Sequence, residues 1–397
     1  MIRHEEIKEL EIAWGLREDV IEKDYVLGWV LWGIGSEPAL EGTWIFKGGT
    51  CLKKCYLETY RFSEDLDFTI LPNGPVEPVD VEPLLGGVLE RISEESGIDF
   101  SLRPPKYKAR PTPQSTEGRI YYRGPRAARM PASIKLDLDG REKAARPTVL
   151  REITHPYSDT LPEPSVVRAY SFEEVFAEKI RAMGERSRPR DLYDIINLFR
   201  RPDLREAPEL IRAVLEEKCA GKGIPVTSFA AISNSPLRAE LESEWENMLA
   251  HQLHVLPPLT DFWDDLEALF GWLDGTAVPL ELAPVSHSGN EDAFWQPPAT
   301  VWNWTDEARV PLEPIRFAGA NHLCVQLGYQ GSKRLVEPYS LRRSRDGDLL
   351  LHCVRVVDRQ PRTYRVDRIE SIDVTKQPFT PQYAIEFMAR IADFHRG

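Results

Sequence analysis

Cysteine is scarce in this chain and arranged for no metal or disulfide chemistry. The five cysteines include no CxxC pair. Cys51 and Cys55 stand four apart, on one face of a helix but too far apart for easy bridging. A disulfide framework is not expected, and neither is a structural zinc site, which would need a second pair of ligands. Long apolar runs are missing too: none approaches the ~20 residues that span a bilayer. Met1-Ile2-Arg3-His4-Glu5-Glu6 lacks the basic-then-apolar order of a secretory signal. These absences predict a protein of the reducing cytoplasm with no membrane partner. No internal repeat and no low-complexity stretch stands out. A general excess of positive charge is also absent, and the net charge of −13 argues against wholesale coating of nucleic acid.

The 397 residues leave room for two or three domains, each with its own core. Apolar residues at 42% and charged residues at 28% are ordinary for a globular chain. The 32 prolines cluster after about residue 70 and between 255 and 315. Tryptophans and aliphatics mixed among them mark loop-rich joints rather than disorder. Charge is unevenly placed. Between Arg103 and Arg151 there are thirteen Lys or Arg against four Asp or Glu, with Tyr107, Tyr121 and Tyr122 among them. A basic tract with interleaved aromatics is suited to following a phosphate backbone and stacking bases. The plainer reading is a solvated loop that balances acidic neighbours.

Hydrophobic spacing outlines the elements. Residues 5–35 carry apolar side chains at helix spacing, from Ile7 through Val30. Trp44-Ile45-Phe46 is a short strand stopped by Gly48-Gly49, and Thr50 is placed to cap a helix running to about Tyr56. Residues 66–71 form a second strand, a helix follows near 81–96, and 132–139 alternate as a third strand with one polar face. Ser171-Phe172-Glu173-Glu174 starts a helical stretch that continues to about Phe199, with a break near Pro189. Helices near 207–219, 236–251 and 260–273 make the second half α-rich. A Pro- and Trp-rich linker follows at 277–308. Segments 314–329, 333–343, 348–357, 362–366 and 369–375 are short, Val/Leu/Tyr-bearing and punctuated by Gly, Asp or Pro, the texture of a small β-barrel.

Two features carry chemistry. A strand that ends in Gly-Gly and opens into a helix lets the backbone approach phosphates closely, with helix N–H groups aimed at them. Lys47-Gly48-Gly49-Thr50 has that form, although two glycines alone usually mark only a turn. Asp65 and Asp67, two apart on a strand, project from one face. So placed, they suit a pair of Mg2+ ions ~3.5–4 Å apart, one activating an attacking hydroxyl and one holding a triphosphate. A third carboxylate from a neighbouring strand would complete such a site, and Asp137 and Asp139 are both candidates. A lone Asp-x-Asp is ordinarily a solvated strand edge. Gly-Gly-Thr followed shortly by Ser63-Glu64-Asp65-Leu66-Asp67-Phe68 is far more specific, and it fits transfer of a nucleotidyl group.

Lys47-Gly48-Gly49-Thr50 with Leu52, Lys54 and Tyr56, then Arg61-Phe62-Ser63-Glu64-Asp65-Leu66-Asp67-Phe68, resembles the first motif of the AbiEii/AbiGii toxin family. That family lies within the DNA polymerase beta-like nucleotidyltransferase superfamily. Ile21-Glu22-Lys23-Asp24-Tyr25 is similar to its N-terminal helix. Glu178-Lys179-Ile180-Arg181-Ala182 and Pro189-Arg190-Asp191-Leu192-Tyr193-Asp194-Ile195 resemble its lysine-bearing helix and its Arg-Asp-x-x-Asp motif. The likeness spans roughly residues 1–275. It implies an α+β fold, a polymerase-beta-like nucleotidyltransferase core with an α-helical second half. It also implies that Lys47, Gly48, Gly49, Thr50 and Ser63 bind the nucleotide and that Asp65 and Asp67 hold Mg2+ or Mn2+. Lys179 would contact the triphosphate, a task suited to a compact ammonium. Asp194 would be a catalytic carboxylate, with Asp191 the competing choice, and Arg190 would hold phosphate or substrate. Asp191 also reads as a helix cap after Pro189, and Lys179 as an exposed lysine paired with Glu174 or Glu178.

The C-terminal segment is similar to a WYL domain, an Sm/SH3-like β-barrel associated with nucleic-acid or nucleotide ligands. The likeness lies in Arg334-Leu335-Val336-Glu337-Pro338-Tyr339-Ser340-Leu341, in Leu349-Leu350-Leu351-His352-Cys353 and in the run from Arg362 to Ile369. The eponymous Trp-Tyr-Leu is absent, with Leu349-Leu350-Leu351 or Leu350-Leu351-His352 near its place. Between Lys333 and Lys376 eleven Lys or Arg stand against seven Asp or Glu, an excess suited to an anion. Arg365 and Arg368 are the expected ligand contacts; the plain alternative pairs them with Asp367, Glu370 and Asp373. The expected organisation is a nucleotidyltransferase domain at 1–276, the 277–308 linker and a WYL-like domain at 309–397. Within the first, the α/β part covers about 1–165 and the helical part about 166–276. The resemblances imply a toxin that moves NMP from an NTP to an RNA acceptor, the tRNA 3′ end above all. Its setting would be a toxin–antitoxin or phage-defence (abortive infection) system with a cognate antitoxin. Two rivals keep part of this: the same site modifying a protein hydroxyl, and a nucleotide- or nucleic-acid-sensing regulator acting through the WYL-like domain.

Overall fold

The computed structural model describes residues 1–57, 61–201, 208–285, 308–344 and 346–387. Most of the expected linker, 286–307, lies outside the described residues. The helical stretch expected over 5–35 is two helices, α1 (His4–Trp14) and α2 (Glu18–Gly35). Gly15 takes a left-handed φ of 63° and its N–H closes on Glu11 O, which ends α1. α2 is buried nearly all round, as a helix with apolar residues on every side must be.

A mixed sheet of seven strands supports the N-terminal part, in the order β3-β4-β5-β2-β1-β7-β6. Its strands are β1 (Trp44–Lys47), β2 (Asp65–Ile70), β3 (Lys106–Ala109), β4 (Ser115–Tyr122), β5 (Ala132–Asp139), β6 (Val149–Glu152) and β7 (Val166–Ala169). β2 sits at the centre, antiparallel to β1 and parallel to β5. The short helix α3 (Gly48–Cys51) leaves β1 and passes into a π turn over Leu52–Tyr56. α4 (Pro78–Ser96) packs on α2. Half of the basic tract is thus strand, not solvated loop.

The helical part comprises α5 (Phe172–Arg186), α6 (Pro189–Phe199), α7 (Pro208–Lys222), α8 (Phe229–Ser233), α9 (Arg238–Leu249) and α10 (Leu259–Leu273). Ser171 caps α5 by accepting from Glu174 N. Left-handed Ser187 (φ 44°) ends α5, and Pro189 opens α6.

The C-terminal part begins with α11 (Glu313–Ala320), where a strand was expected. This helix is buried all round from Pro314 to Gly319. Five antiparallel strands follow: β8 (Leu323–Tyr329), β9 (Ser332–Arg343), β10 (Leu349–Arg355), β11 (Gln360–Arg365) and β12 (Ile369–Pro378). Their order is β11-β10-β9-β8-β12. β12 returns to pair with β8, so β11 and β12 finish as opposite edges and the sheet stays open rather than closing into the expected barrel. One hydrophobic cluster runs from Ile2 through the sheet and helices to Leu312, Ile315 and Phe317. Among the described residues no helix is long and apolar enough to cross a membrane.

Candidate active site

β1 ends at Lys47, and Gly48 turns with φ 79°, a value glycine takes without strain. A Cβ on Gly48 would lie 2.5 Å from Asp67 Oδ2, and one on Gly49 would lie 2.6 Å from Arg61 Nη2. Glycine is needed where the turn presses on the carboxylate strand. Thr50 does not cap a helix; Lys47 holds that position, and the Thr50 hydroxyl donates to the backbone carbonyl of Asp65. That bond ties the turn to the first residue of β2.

Register decides which carboxylates meet. Lys47 stands opposite Asp67 on β2, and Asp67 stands opposite Asp137 on β5. Asp65 faces Lys135, and Asp139 faces Thr69. Leu66 and Phe68 are buried in the core, so Asp65 and Asp67 share the other face. Burial, Asp137 and Asp65 push Asp67 up to about 6 against the pull of Lys47. Burial also raises Asp65. Asp137 is paired with Arg110 and, at 2.9 Å, with Lys135. Asp139 is paired with Arg141 at 2.8 Å. Among the described residues no group of three His, Cys, Asp or Glu is already gathered to hold a metal.

Lys179 is 8% exposed and not the surface lysine that its helix position allowed. Its Nζ lies 2.7 Å from Asp194 Oδ2 and 3.6 Å from Asp191 Oδ1. Arg61, which the sequence reading quoted but gave no role, donates to both oxygens of Asp194 at 2.7 and 2.9 Å. Arg186 donates to both oxygens of Asp191 at 2.7 and 2.9 Å. Arg188, not Asp191, is the cap residue of α6. Burial alone would raise Asp194, but Arg61 and Lys179 outweigh it and hold the carboxyl down to about 2. A carboxylate this acidic and enclosed aims its two cations better than it accepts a proton at neutral pH.

The glycine turn, Asp67, Lys179 and Arg186 border a cleft of about 520 Å³. Gly48, Gly49 and Asp67 line it together with Lys47, Lys179 and Lys222 and with the carboxylates of Glu142, Glu178 and Glu185. Ser63 Oγ would lie 3.2 Å from a Cβ on Gly49, which places it beside the turn. Arg190 is half-buried and its pKa is lowered by burial and by Arg61, with Asp65 and Glu64 acting the other way. It therefore stands on the Asp65 side of the site. In the basic tract, Lys106, Arg119 and Lys135 fall in one row across β3, β4 and β5, and that row continues to Asp65. The tract's tyrosines are less available than expected: Tyr122 is buried and Arg103 covers the Tyr121 ring at 4.0 Å. In the C-terminal sheet, Arg365 pairs with Asp367 at 2.9 Å and with Asp348, while Arg368 is exposed in the turn before β12.

Cations and carboxylates thus meet beside a glycine turn, and the protein is a nucleotidyltransferase. The chain belongs to the nucleotidyl transferase AbiEii toxin family of type IV toxin–antitoxin systems, whose profile matches residues 29–270. An antitoxin is accordingly its partner and a nucleotide its substrate. The WYL domain profile matches residues 312–374. Among solved structures the chain is similar to MenT4, a nucleotidyltransferase toxin from Mycobacterium tuberculosis H37Rv. The two are 20% identical over 69% of this chain and 90% of that one, with a TM-score of 0.48. No curated protein sequence matches the chain.

Proposed function

We propose that the protein transfers a nucleoside monophosphate from an NTP to an RNA 3′ end, with tRNA the acceptor, as a phage-defence toxin. The row Lys106–Arg119–Lys135 carries the acceptor assignment, because it leads in register from an exposed edge strand to Asp65. A polyanion laid along these cations presents its end at Asp65; a protein hydroxyl needs no such row. Asp65, Asp67 and Asp137 offer hard oxygen donors on adjacent strands, and the missing Cβ of Gly48 leaves space beside Asp67, so they fit Mg2+ or Mn2+. A metal bound there would neutralise charge on the attacking and leaving oxygens. The backbone of Gly48, Gly49 and Thr50 cradles phosphate, with Lys47, Ser63 and Lys179 around it. Asp194 positions Lys179 and Arg61, Asp191 positions Arg186, and Arg190 holds the acceptor. The proposed division places catalysis in 1–276 and ligand-linked tuning in 309–397, with Arg365 and Arg368 as ligand contacts there.

The test is incubation with total RNA, Mg2+ and each labelled NTP, comparing wild type with Asp65→Ala, Lys179→Ala and a Lys106→Glu/Arg119→Glu double variant. Label entering tRNA with wild type alone is the expected result. Label on protein would support the protein-acceptor reading instead. Undiminished RNA labelling by the double variant would remove the basic row from the argument for RNA.

A further inference from the structure

Across the cleft from the glycine turn stands a cation that no motif marks. Lys222, the last residue of α7, lies 3.1 Å from Glu142 Oε1, and Lys47, at the end of β1, pairs with Glu142 Oε2. Glu142 thus bridges two walls of the cleft that Gly48, Gly49, Asp67 and Lys179 also line. Its loop is pinned from behind. The N–H groups of Ala145 and Arg146 donate to Glu174 at 2.8 and 3.0 Å, and Lys218 Nζ donates to Lys143 O at 2.9 Å. The Glu142 side chain is only 16% exposed. Burial would raise its pKa, but Lys47 and Lys222 outweigh it and keep it far below the usual carboxylate range. Glu142 therefore sits between two lysines inside the cleft, and Glu178 Oε1 stands 3.8 Å from Lys47 as a second, more distant carboxylate.

We propose that Lys222 and Lys47 are ligands of the NTP triphosphate, and that Glu142 is the internal counter-ion the triphosphate displaces. The proposal rests on the cleft being the nucleotide site. A triphosphate offers more charge and more oxygens to these lysines than one carboxylate does, so the exchange is favourable. Because the loop is anchored at Ala145 and Arg146, only the short stretch carrying Glu142 has to swing aside. With no nucleotide present, the Glu142 carboxylate, which alone contacts both lysines, offsets the repulsion between Lys47 and Lys222, with Glu178 also facing Lys47.

The test is calorimetric titration with inorganic tripolyphosphate, alongside KM for each NTP, on the full chain. The variants are Glu142→Gln, Lys222→Ala and Lys179→Ala, each checked for an unchanged fold by circular dichroism. Glu142→Gln should bind tripolyphosphate about three- to tenfold more tightly and lower KM by a similar factor. Lys222→Ala should weaken binding about tenfold and raise KM more than it lowers kcat. Unchanged or weaker binding by Glu142→Gln, or unchanged binding by Lys222→Ala, overturns the proposal. If Lys179→Ala weakens binding while those two do not move as expected, only the counter-ion idea falls. If Lys179→Ala is silent as well, the cleft is not the nucleotide site and the broader reading falls with it.

Discussion

At the scale of single residues, two aspartates in one site have opposite effects on stability. Asp67, raised to about 6 by burial and neighbouring carboxylates, binds a proton more tightly folded than unfolded. Its contribution is most favourable below an unfolded pKa of about 4 and declines as pH rises through 6. Asp67→Asn should therefore raise the metal-free stability at pH 7.5 by about 1–2 kcal/mol while abolishing transfer. Urea denaturation at pH 4.5 and 7.5 checks this, and added Mg2+ should stabilise wild type but not the variant. Asp194, held down to about 2 by Arg61 and Lys179, runs the other way. Its stabilisation is full above pH 4 and lost as pH falls through 2. Asp194→Asn removes the buried carboxylate that Arg61 and Lys179 share and should cost about 3–5 kcal/mol, read as a fall in thermal midpoint. If Asp194 positions rather than accepts a proton, the variant's residual activity keeps the wild-type pH profile.

At the scale of elements, the glycine turn and the strand beside it form one unit. Gly48→Ala would force a Cβ both into a left-handed backbone and against Asp67. A loss of about 1–2 kcal/mol and of activity is expected, measured by denaturation and by NTP turnover. β2 and β5 were legible because each has one polar and one apolar face, so the period of two survives in the sequence. β3 was not: its four residues lie at a sheet edge with three of them exposed, and no face needs to be apolar. Short β6 and β7 were missed because four residues are too few to show a period. The sequence of α11 reads equally as strand because a short apolar run fits either period until its packing is known.

At the scale of the molecule, the C-terminal part is joined to the catalytic part through shared core rather than merely tethered. Leu312, Ile315 and Phe317 belong to the same cluster as the catalytic helices. Asn321 accepts from the Tyr193 hydroxyl at 2.8 Å, one residue before Asp194. Deleting 309–397 should therefore uncover apolar surface, lower the melting point and depress transfer together, rather than release an intact catalytic half. Scanning calorimetry of the full chain should show one cooperative transition; two well-separated transitions would contradict a shared core.

The sequence by itself determined the local chemistry: a glycine turn after a strand, two carboxylates on one strand face, a capped lysine-bearing helix. Each of these follows from spacing within a few residues. Tertiary structure alone decided that Asp137 rather than Asp139 meets Asp67, that Asp194 is locked by Arg61, and that Glu142 joins Lys47 to Lys222. Those pairings span tens of residues to well over a hundred, and sheet register and helix packing fix them, through contacts that no local pattern encodes.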